Sequence, residues 1–388
     1  MIPTHGGPMT LKSSRFTLFS LTAIFAVTAL IVSCASAPEV PEGTTLAEAY
    51  ENHFPIGAAV AAGEYSFDSF ARYSGALLGE FNSLTAENAM KPAILQPKKG
   101  EFNWIPADKI VAYAVDHNMR LRGHTLVWHN QAADWMFTDS GTQDEQRAKA
   151  MDSLRDHITA VMTRYKGKVT SWDVVNEVVA DSPGDSPYRT DSPWYQAYGG
   201  IGYVREAFEM ARAADPDALL FYNDYSMIDP GKRQRVLDMI DELGLVRDGL
   251  IDGVGLQAHW GLSYPDRTTL RDVVRDFREA GLRVEITELD IICDEWDQEL
   301  LADRYENLFT WLRELSDDID GVTFWGVADD HTWLTDFHGF TNYPFLFDTE
   351  GKPERSAQPR NSGSTIKSDA LAAGVFNCPR GVQPPPGC

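Results

Sequence analysis

Thr170-Ser171-Trp172-Asp173-Val174-Val175-Asn176-Glu177 is a short, mostly apolar run that ends abruptly in an amide and an acid. Such a run reads as a β-strand buried on both faces, the condition of a parallel strand inside an α/β protein. Seven similar segments occur along the chain: Pro55–Ala61, Leu77–Thr85, Leu121–Trp128, Leu219–Tyr222, Gly253–Ala258, Arg283–Thr287 and Gly321–Trp325. Stretches with helical period lie between them, including Gln146–Tyr165, Val204–Ala214, Lys232–Leu243, Leu270–Ala280 and Glu299–Leu315. Stop and start signals agree with these bounds: Asp144 precedes one helix, Asp215-Pro216 ends another, and Gly244 and Gly281 follow two more. Eight βα units with no two-fold break predict a closed (β/α)8 TIM barrel, a doubly wound open sheet being the alternative. The length of 388 residues and the 43% hydrophobic content suit one barrel with extensions. No Pro/Ser/Gly linker interrupts residues 50–350, which favours one domain over two.

The two ends read differently from the middle. Lys12 and Arg15 precede an apolar run, Phe16–Val32, that reaches Ser33-Cys34-Ala35. A basic start, a short apolar stretch and small residues at the break describe an export signal. Ile31-Val32-Ser33-Cys34 resembles a bacterial lipobox, so Cys34 is expected to become a lipidated N-terminus. A signal cleaved nearby with Cys34 incidental is the second reading. A membrane span is the third, for which the apolar run is short. The expected organisation is a signal over 1–33, a tether over 34–45, a catalytic domain over 46–355 and a tail over 356–388. The protein is then exported and held at a membrane, the outer membrane or cell surface, with a monomer as the default state. Within the tail, Ala357-Gln358-Pro359-Arg360-Asn361-Ser362-Gly363 breaks helices, and only Ser364–Ala373 has a helical pattern. Cys378 and Cys388 bracket a Pro/Gly-rich segment and either close a small loop in an oxidising compartment or stay as thiols.

The net charge is −23, and removal of residues 1–33 takes away Lys12 and Arg15 and no acid, leaving about −25. Such a surface repels phosphate backbones and argues against a nucleic-acid partner, while a neutral polymer is compatible with it. No Cys/His spacing reads as a metal site, and no metal or organic cofactor is expected.

Polar and aromatic residues gather where the strand candidates end, the edge that carries the active site in a parallel barrel. Asn176-Glu177 closes the opening stretch, where partial burial would keep the acid protonated near neutrality; the same pair would also serve as a helix cap. Val284-Glu285-Ile286-Thr287-Glu288-Leu289-Asp290 offers a second carboxylate, Glu288, at the strand end. Alternation does not settle which acid of that run points inward, and salt bridges would account for Glu285 and Asp290. Arg122-Gly123-His124-Thr125-Leu126-Val127-Trp128-His129-Asn130-Gln131 holds two histidines, an indole and two amides. Gln257, His259 and Trp260 follow one later strand; Trp325, Asp329 and Trp333 follow another. Flat indoles stack on sugar rings while amides and imidazoles bond hydroxyls. Trp104 and Trp311 read equally well as core.

Taken in order, the motifs Leu84-Thr85-Ala86-Glu87-Asn88-Ala89-Met90-Lys91, Arg122–His129, Trp172–Glu177, Gly255-Leu256-Gln257-Ala258-His259, Ile286–Asp290 and Phe324-Trp325-Gly326 resemble glycoside hydrolase family 10, the retaining endo-β-1,4-xylanases. The likeness covers about residues 50–355. It implies that Glu177 is the acid/base and Glu288 the nucleophile, that His259 hydrogen-bonds Glu288 with Asp290 in support, and that Asn176 holds a sugar 2-hydroxyl. It implies further that Glu87, Asn88, Lys91, His124, Trp128 and Gln257 line the glycone subsites and that Trp325 and Trp333 wall them. Gln131 and Trp333 would crowd the space of a hydroxymethyl group and so favour xylose over glucose. The implied partner is xylan or a xylo-oligosaccharide. Ala89, Pro92 and Asp330-His331-Thr332 depart from the commoner family pattern. Two other readings differ in kind: a related barrel glycanase for β-glucan or mannan, and a xylan-binding protein without turnover, which would usually lack one carboxylate.

Overall fold

The computed structural model describes residues 45–353 except 185 and 294–297. The export signal, Cys34, the tether up to residue 44, and the tail with Ser364–Ala373, Cys378 and Cys388 lie outside the described residues.

Among the described residues nine strands form in chain order: β1 (Ile56–Val60), β2 (Ser83–Ala86), β3 (Arg120–Trp128), β4 (Ser171–Asn176), β5 (Leu219–Asp224), β6 (Gly253–Leu256), β7 (His259–Gly261), β8 (Arg283–Ile292) and β9 (Val322–Phe324). All pairings among them are parallel. Strands β1 to β6 run side by side, β1 also pairs with β9, and β8 joins β9 to β6, so eight strands close the barrel. The three-residue β7 lies outside that ring and extends the far end of β8, with His259 opposite Asp290. Strand interiors are buried without alternation, as in β1 and β4, because a helix layer covers one face and the barrel interior the other.

The helices follow from patterning and caps. In Arg267–Glu279 the buried residues are Leu270, Val273, Val274 and Phe277, a stripe at the spacing of one helical face. Each buried side chain of this size stabilises by about 1.5–3 kcal/mol. Asp266 caps the helix by accepting the Thr269 N–H at 2.8 Å. The long helix Gln143–Tyr165 starts at Thr142, whose hydroxyl and Glu145 form a capping box; Asp144, expected just ahead of the helix, is its second residue. Gly244 (φ +63°) and Gly281 (φ +82°) take up the left-handed turn that ends their helices.

One strand expectation is half wrong. Within Leu77–Thr85 the first part belongs to the helix Ser74–Glu80, and only Ser83–Ala86 is strand. A short apolar run has no period long enough to separate the two states.

The barrel interior contains a buried ion network. Arg122 of β3 donates to Glu285 of β8 at 2.6 Å and to Asp173 of β4 at 2.7 and 3.3 Å. Arg120 adds a 3.2 Å contact to Glu285, and His124 Nδ1 lies 2.9 Å from Asp173. Although burial pushes Asp173 up, Arg122 and His124 hold its pKa below the ordinary value. Gly123 permits the close approach of β3 to β4, since a Cβ there would sit 2.2 Å from the Trp172 ring.

Replacing Arg122 with Met removes the cation and leaves Asp173 and Glu285 facing each other in the barrel. The expected loss is about 3–5 kcal/mol of unfolding free energy, the cost of stranding buried charge. Chemical denaturation of the two proteins side by side measures it, and an unchanged midpoint would refute the assignment.

Candidate active site

Departures from regular strand geometry cluster at one end of the barrel. The register shifts between His124 and Val127 in the β3–β4 pair, between Asp173 and Val175 in the β4–β5 pair, and between Ile286 and Leu289 in the β8–β9 pair. Such bulges re-aim side chains. Gln131 (φ +45°), Glu177 (φ +58°) and Ala258 (φ +66°) adopt left-handed backbone at the same edge, at about 1–2 kcal/mol each for residues with a Cβ.

Glu177 follows directly on β4 and is 4% exposed. Its backbone N–H donates to the Asn223 carbonyl at 3.0 Å. One carboxylate oxygen accepts from Trp128 Nε1 at 2.9 Å; the other accepts from Gln257 Nε2 at 2.9 Å and Asn176 Nδ2 at 3.2 Å. Burial raises the pKa of Glu177, and the charge on Asp224 adds to this; the Gln257 and Trp128 bonds oppose it, and Glu288 contributes a further push upward. The result is an acid that keeps its proton above the usual carboxylate range.

Glu288 is equally buried, within β8, but shifts the other way. Asn223 Nδ2 donates to it at 2.6 Å, His259 Nε2 lies 3.3 Å away and His124 Nδ1 3.9 Å away. Burial acts to raise its pKa, yet His259 and His124 overcome this and lower it. His259 in turn sits between two carboxylates, with Nδ1 2.9 Å from Asp290. Burial opposes its charge, but Asp290 and Glu288 raise its pKa to about 10, so the ring is an imidazolium at neutral pH. Trp333 Nε1 donates to the second oxygen of Asp290 at 2.9 Å, and its ring meets that of His259 edge-on at 4.9 Å. The structure therefore binds Asp290 into the site, while Glu285 is the structural partner of Arg122.

Asn223 is the joint between the two acids. Its Nδ2 reaches both Glu288 and Asn176 Oδ1 (2.9 Å), and its Oδ1 accepts from Thr287 at 2.6 Å. Gly255 leaves room for it, because a Cβ there would stand 2.2 Å from the Asn223 oxygen. The sequence reading ended this strand at Tyr222 and missed both Asn223 and Asp224. The available signal was the one used for Asn176-Glu177, namely polar residues closing a short apolar strand. Asp224 is fully buried, lies 2.8 Å from Lys232 Nζ and accepts the Tyr222 hydroxyl at 2.5 Å.

To one side of the acids lie the other expected residues. Lys91 Nζ donates to Asn88 Oδ1 at 2.9 Å and stands 4.9 Å from the Trp128 ring centre and 6.0 Å from that of Trp325. Asn88 Nδ2 donates to Glu87 at 3.1 Å. Gln131 Nε2 donates to the Tyr65 hydroxyl at 3.1 Å, and its backbone carbonyl accepts from Ala93. Trp325 packs edge-on against His124 at 5.1 Å and is 9% exposed. Two residues read as sugar contacts have other duties: Trp260 joins the apolar core, and Asp329 accepts the Phe345 N–H. Trp104 and Trp311 pack against the core. Among the described residues, no cluster of three or more His, Cys, Asp or Glu is arranged for a metal ion.

The glycosyl hydrolase family 10 pattern matches residues 45–358. A β-1,4-xylanase of Dictyoglomus thermophilum is 38% identical over 361 residues, covering 89% of this chain and 97% of its own. An endo-1,4-β-xylanase of Geobacillus stearothermophilus is 40% identical, covering 83% and 97%. Among solved structures, a Paenibacillus barcinonensis xylanase crystallised with a conduramine derivative superposes with a TM-score of 0.74 at 37% identity, covering 81% of this chain and 96% of its own.

The electrostatics make Glu177 sensitive to Asp224. In Asp224→Asn the carboxyl of Glu177 should release its proton at lower pH, because a negative neighbour has been removed. Carbon-13 NMR titration of labelled glutamate reads this directly; an unmoved or upward-shifted titration would contradict the stated cause.

Proposed function

The chain belongs to glycosyl hydrolase family 10 and is an endo-β-1,4-xylanase; we propose that Glu177 and Glu288 carry out its retaining double displacement. What carries this assignment is the placement of two buried carboxylates joined by the amides of Asn223 and Asn176, one with neutral donors and the buried acid Asp224 nearby and the other against His259, so that burial pushes Glu177 up while His259 holds Glu288 down. Hydrolysis with retention needs one acid that arrives protonated and one that arrives ionised, about 5–5.5 Å apart across a single linkage.

Ionised Glu288 attacks the anomeric carbon as Glu177 gives its proton to the departing oxygen. A covalent xylosyl-enzyme forms. Its formation removes the negative charge on Glu288, one of the influences that raises Glu177, so ionised Glu177 is then suited to take a proton from water. That water releases the sugar in its β configuration. The His259 imidazolium, fixed by Asp290, stabilises the ionised nucleophile before attack and as leaving group afterwards. Asn176 holds the 2-hydroxyl of the sugar undergoing cleavage. Glu87, Asn88, Lys91, His124, Trp128 and Gln257 bind the glycone, with Trp325 and Trp333 as apolar walls, and Gln131 with Trp333 denies room to a hydroxymethyl group.

Glu288→Ala should lose roughly 10⁴-fold or more in kcat. Glu177→Ala should lose about 10²–10⁴-fold on xylan and far less on aryl glycosides, whose leaving group needs no proton. Proton NMR of the first product should show the β-anomer. An active Glu288→Ala protein, or an α-anomer formed first, would overturn the mechanism. Faster release of reducing sugar from carboxymethyl-cellulose than from xylan would instead overturn the discrimination by Gln131 and Trp333.

The same reading includes export and anchoring of the chain through a lipid on Cys34, supported by the residues around it. Labelled palmitate should enter the wild-type protein in cells and not Cys34→Ser; equal labelling, or none in either, would end that part of the proposal.

A further inference from the structure

Glu87, assigned to the glycone subsites, does not stand alone. One of its oxygens accepts from Asn88, and the other lies 2.8 Å from Nε2 of His331, which comes from the loop after β9. The His331 ring lies flat on Phe67, with ring centres 3.8 Å apart and planes within 2°. Phe67 belongs to the loop after β1, whose turn is closed by the Gly63 N–H on the Phe67 carbonyl at 2.8 Å. Beside His331, Asp330 pairs with Arg72 at 2.7 Å and with the Tyr73 hydroxyl. Two loops from opposite ends of the chain thus meet over the end of β2, and the imidazole is their shared contact with Glu87.

We propose that His331 is a positioning residue that orients Glu87 toward the glycone sugar beyond the cleavage point, so that binding on that side depends on a group from the loop after β9. The inference rests on the assignment of Glu87 to glycone binding. With one oxygen committed to His331, Glu87 presents a fixed acceptor to a sugar hydroxyl rather than a freely rotating carboxylate. The imidazole also gives the contact a charge. Burial works against it, but Glu87 with Asp330 and Glu64 outweighs burial and raises the pKa of His331 above its ordinary value. The groups facing the ring are acidic from three elements: Glu87 after β2, Glu64 after β1 and Asp330 on its own loop, the last already paired with Arg72. Below its raised pKa His331 is cationic and the ion pair is complete. As pH rises through that value the charge is lost, and affinity for the glycone falls.

The test compares an aryl β-xylobioside, which places a second sugar at Glu87, with an aryl β-xyloside, which does not. In His331→Ala the ratio of kcat/KM for the two substrates should drop about tenfold, the size of one charge-assisted hydrogen bond. The wild type should show a rise in KM for the xylobioside at alkaline pH; His331→Gln, which keeps a donor but cannot titrate, should restore most of that ratio and abolish that rise. His331→Ala added to Glu87→Ala should lower the ratio no further than Glu87→Ala alone. If Glu87→Ala lowers the ratio and His331→Ala does not, the proposal fails while the glycone assignment stands. If Glu87→Ala itself leaves the ratio unchanged, the glycone assignment fails and this proposal with it. A loss shared equally by both substrates marks general damage to the fold and also overturns the positioning role.

Discussion

Everything at the catalytic edge depends on how Arg122 is held. Its guanidinium is buried in the barrel and bonds Asp173 on β4 and Glu285 on β8 at once. Glu177 directly follows the first of those strands, and Glu288 lies within the second. A buried charge of this kind is tolerable only when its partners are complete, so the interior ties together two strands that share no backbone ladder. The network continues through Asp173 to His124, which reaches toward Glu288. The lower half of the barrel thus influences both the position and the charge of the groups above it.

Burial alone does not distinguish the two glutamates, since each is 4% exposed. Their neighbours do. Glu177 receives neutral donors from Trp128, Gln257 and Asn176 and feels the buried acid Asp224. Glu288 receives an imidazolium held by Asp290. Desolvation pushes both acids toward the protonated form, and only the one with cationic company resists. The opposite shifts are therefore set by β7 and the strand ends around it rather than by either glutamate itself.

Much of this was legible in the residues. Parallel strands covered on both faces are short and apolar, so the barrel could be read from eight such runs and their intervening helical periods. Polar residues that interrupt them at one end stand out, which is why Glu177, Glu288, His259 and Gln257 were visible. The failures have physical reasons. Leu77 and its neighbours fit a helix as well as a strand, because four or five apolar residues carry no period. Asn223 closes a short apolar strand as Asn176 does, but nothing in a linear chain shows that this amide will bridge Asn176 and Glu288, each on a different strand. Trp260 looked like a sugar platform, but an indole at a strand end can face inward as easily as outward. The tie between His331 and Glu87 joins residues 244 positions apart, beyond any local pattern.

Glu177 occupies left-handed backbone at φ +58° with a side chain that burial disfavours in its charged form. Glycine would relax both tensions at that position. A protein stripped of its acid would then be expected to outlast the working enzyme on heating. Thermal endurance and the proposed proton transfer pull against each other at this single residue, and selection for hardiness alone would discard the carboxyl proposed to protonate the departing oxygen.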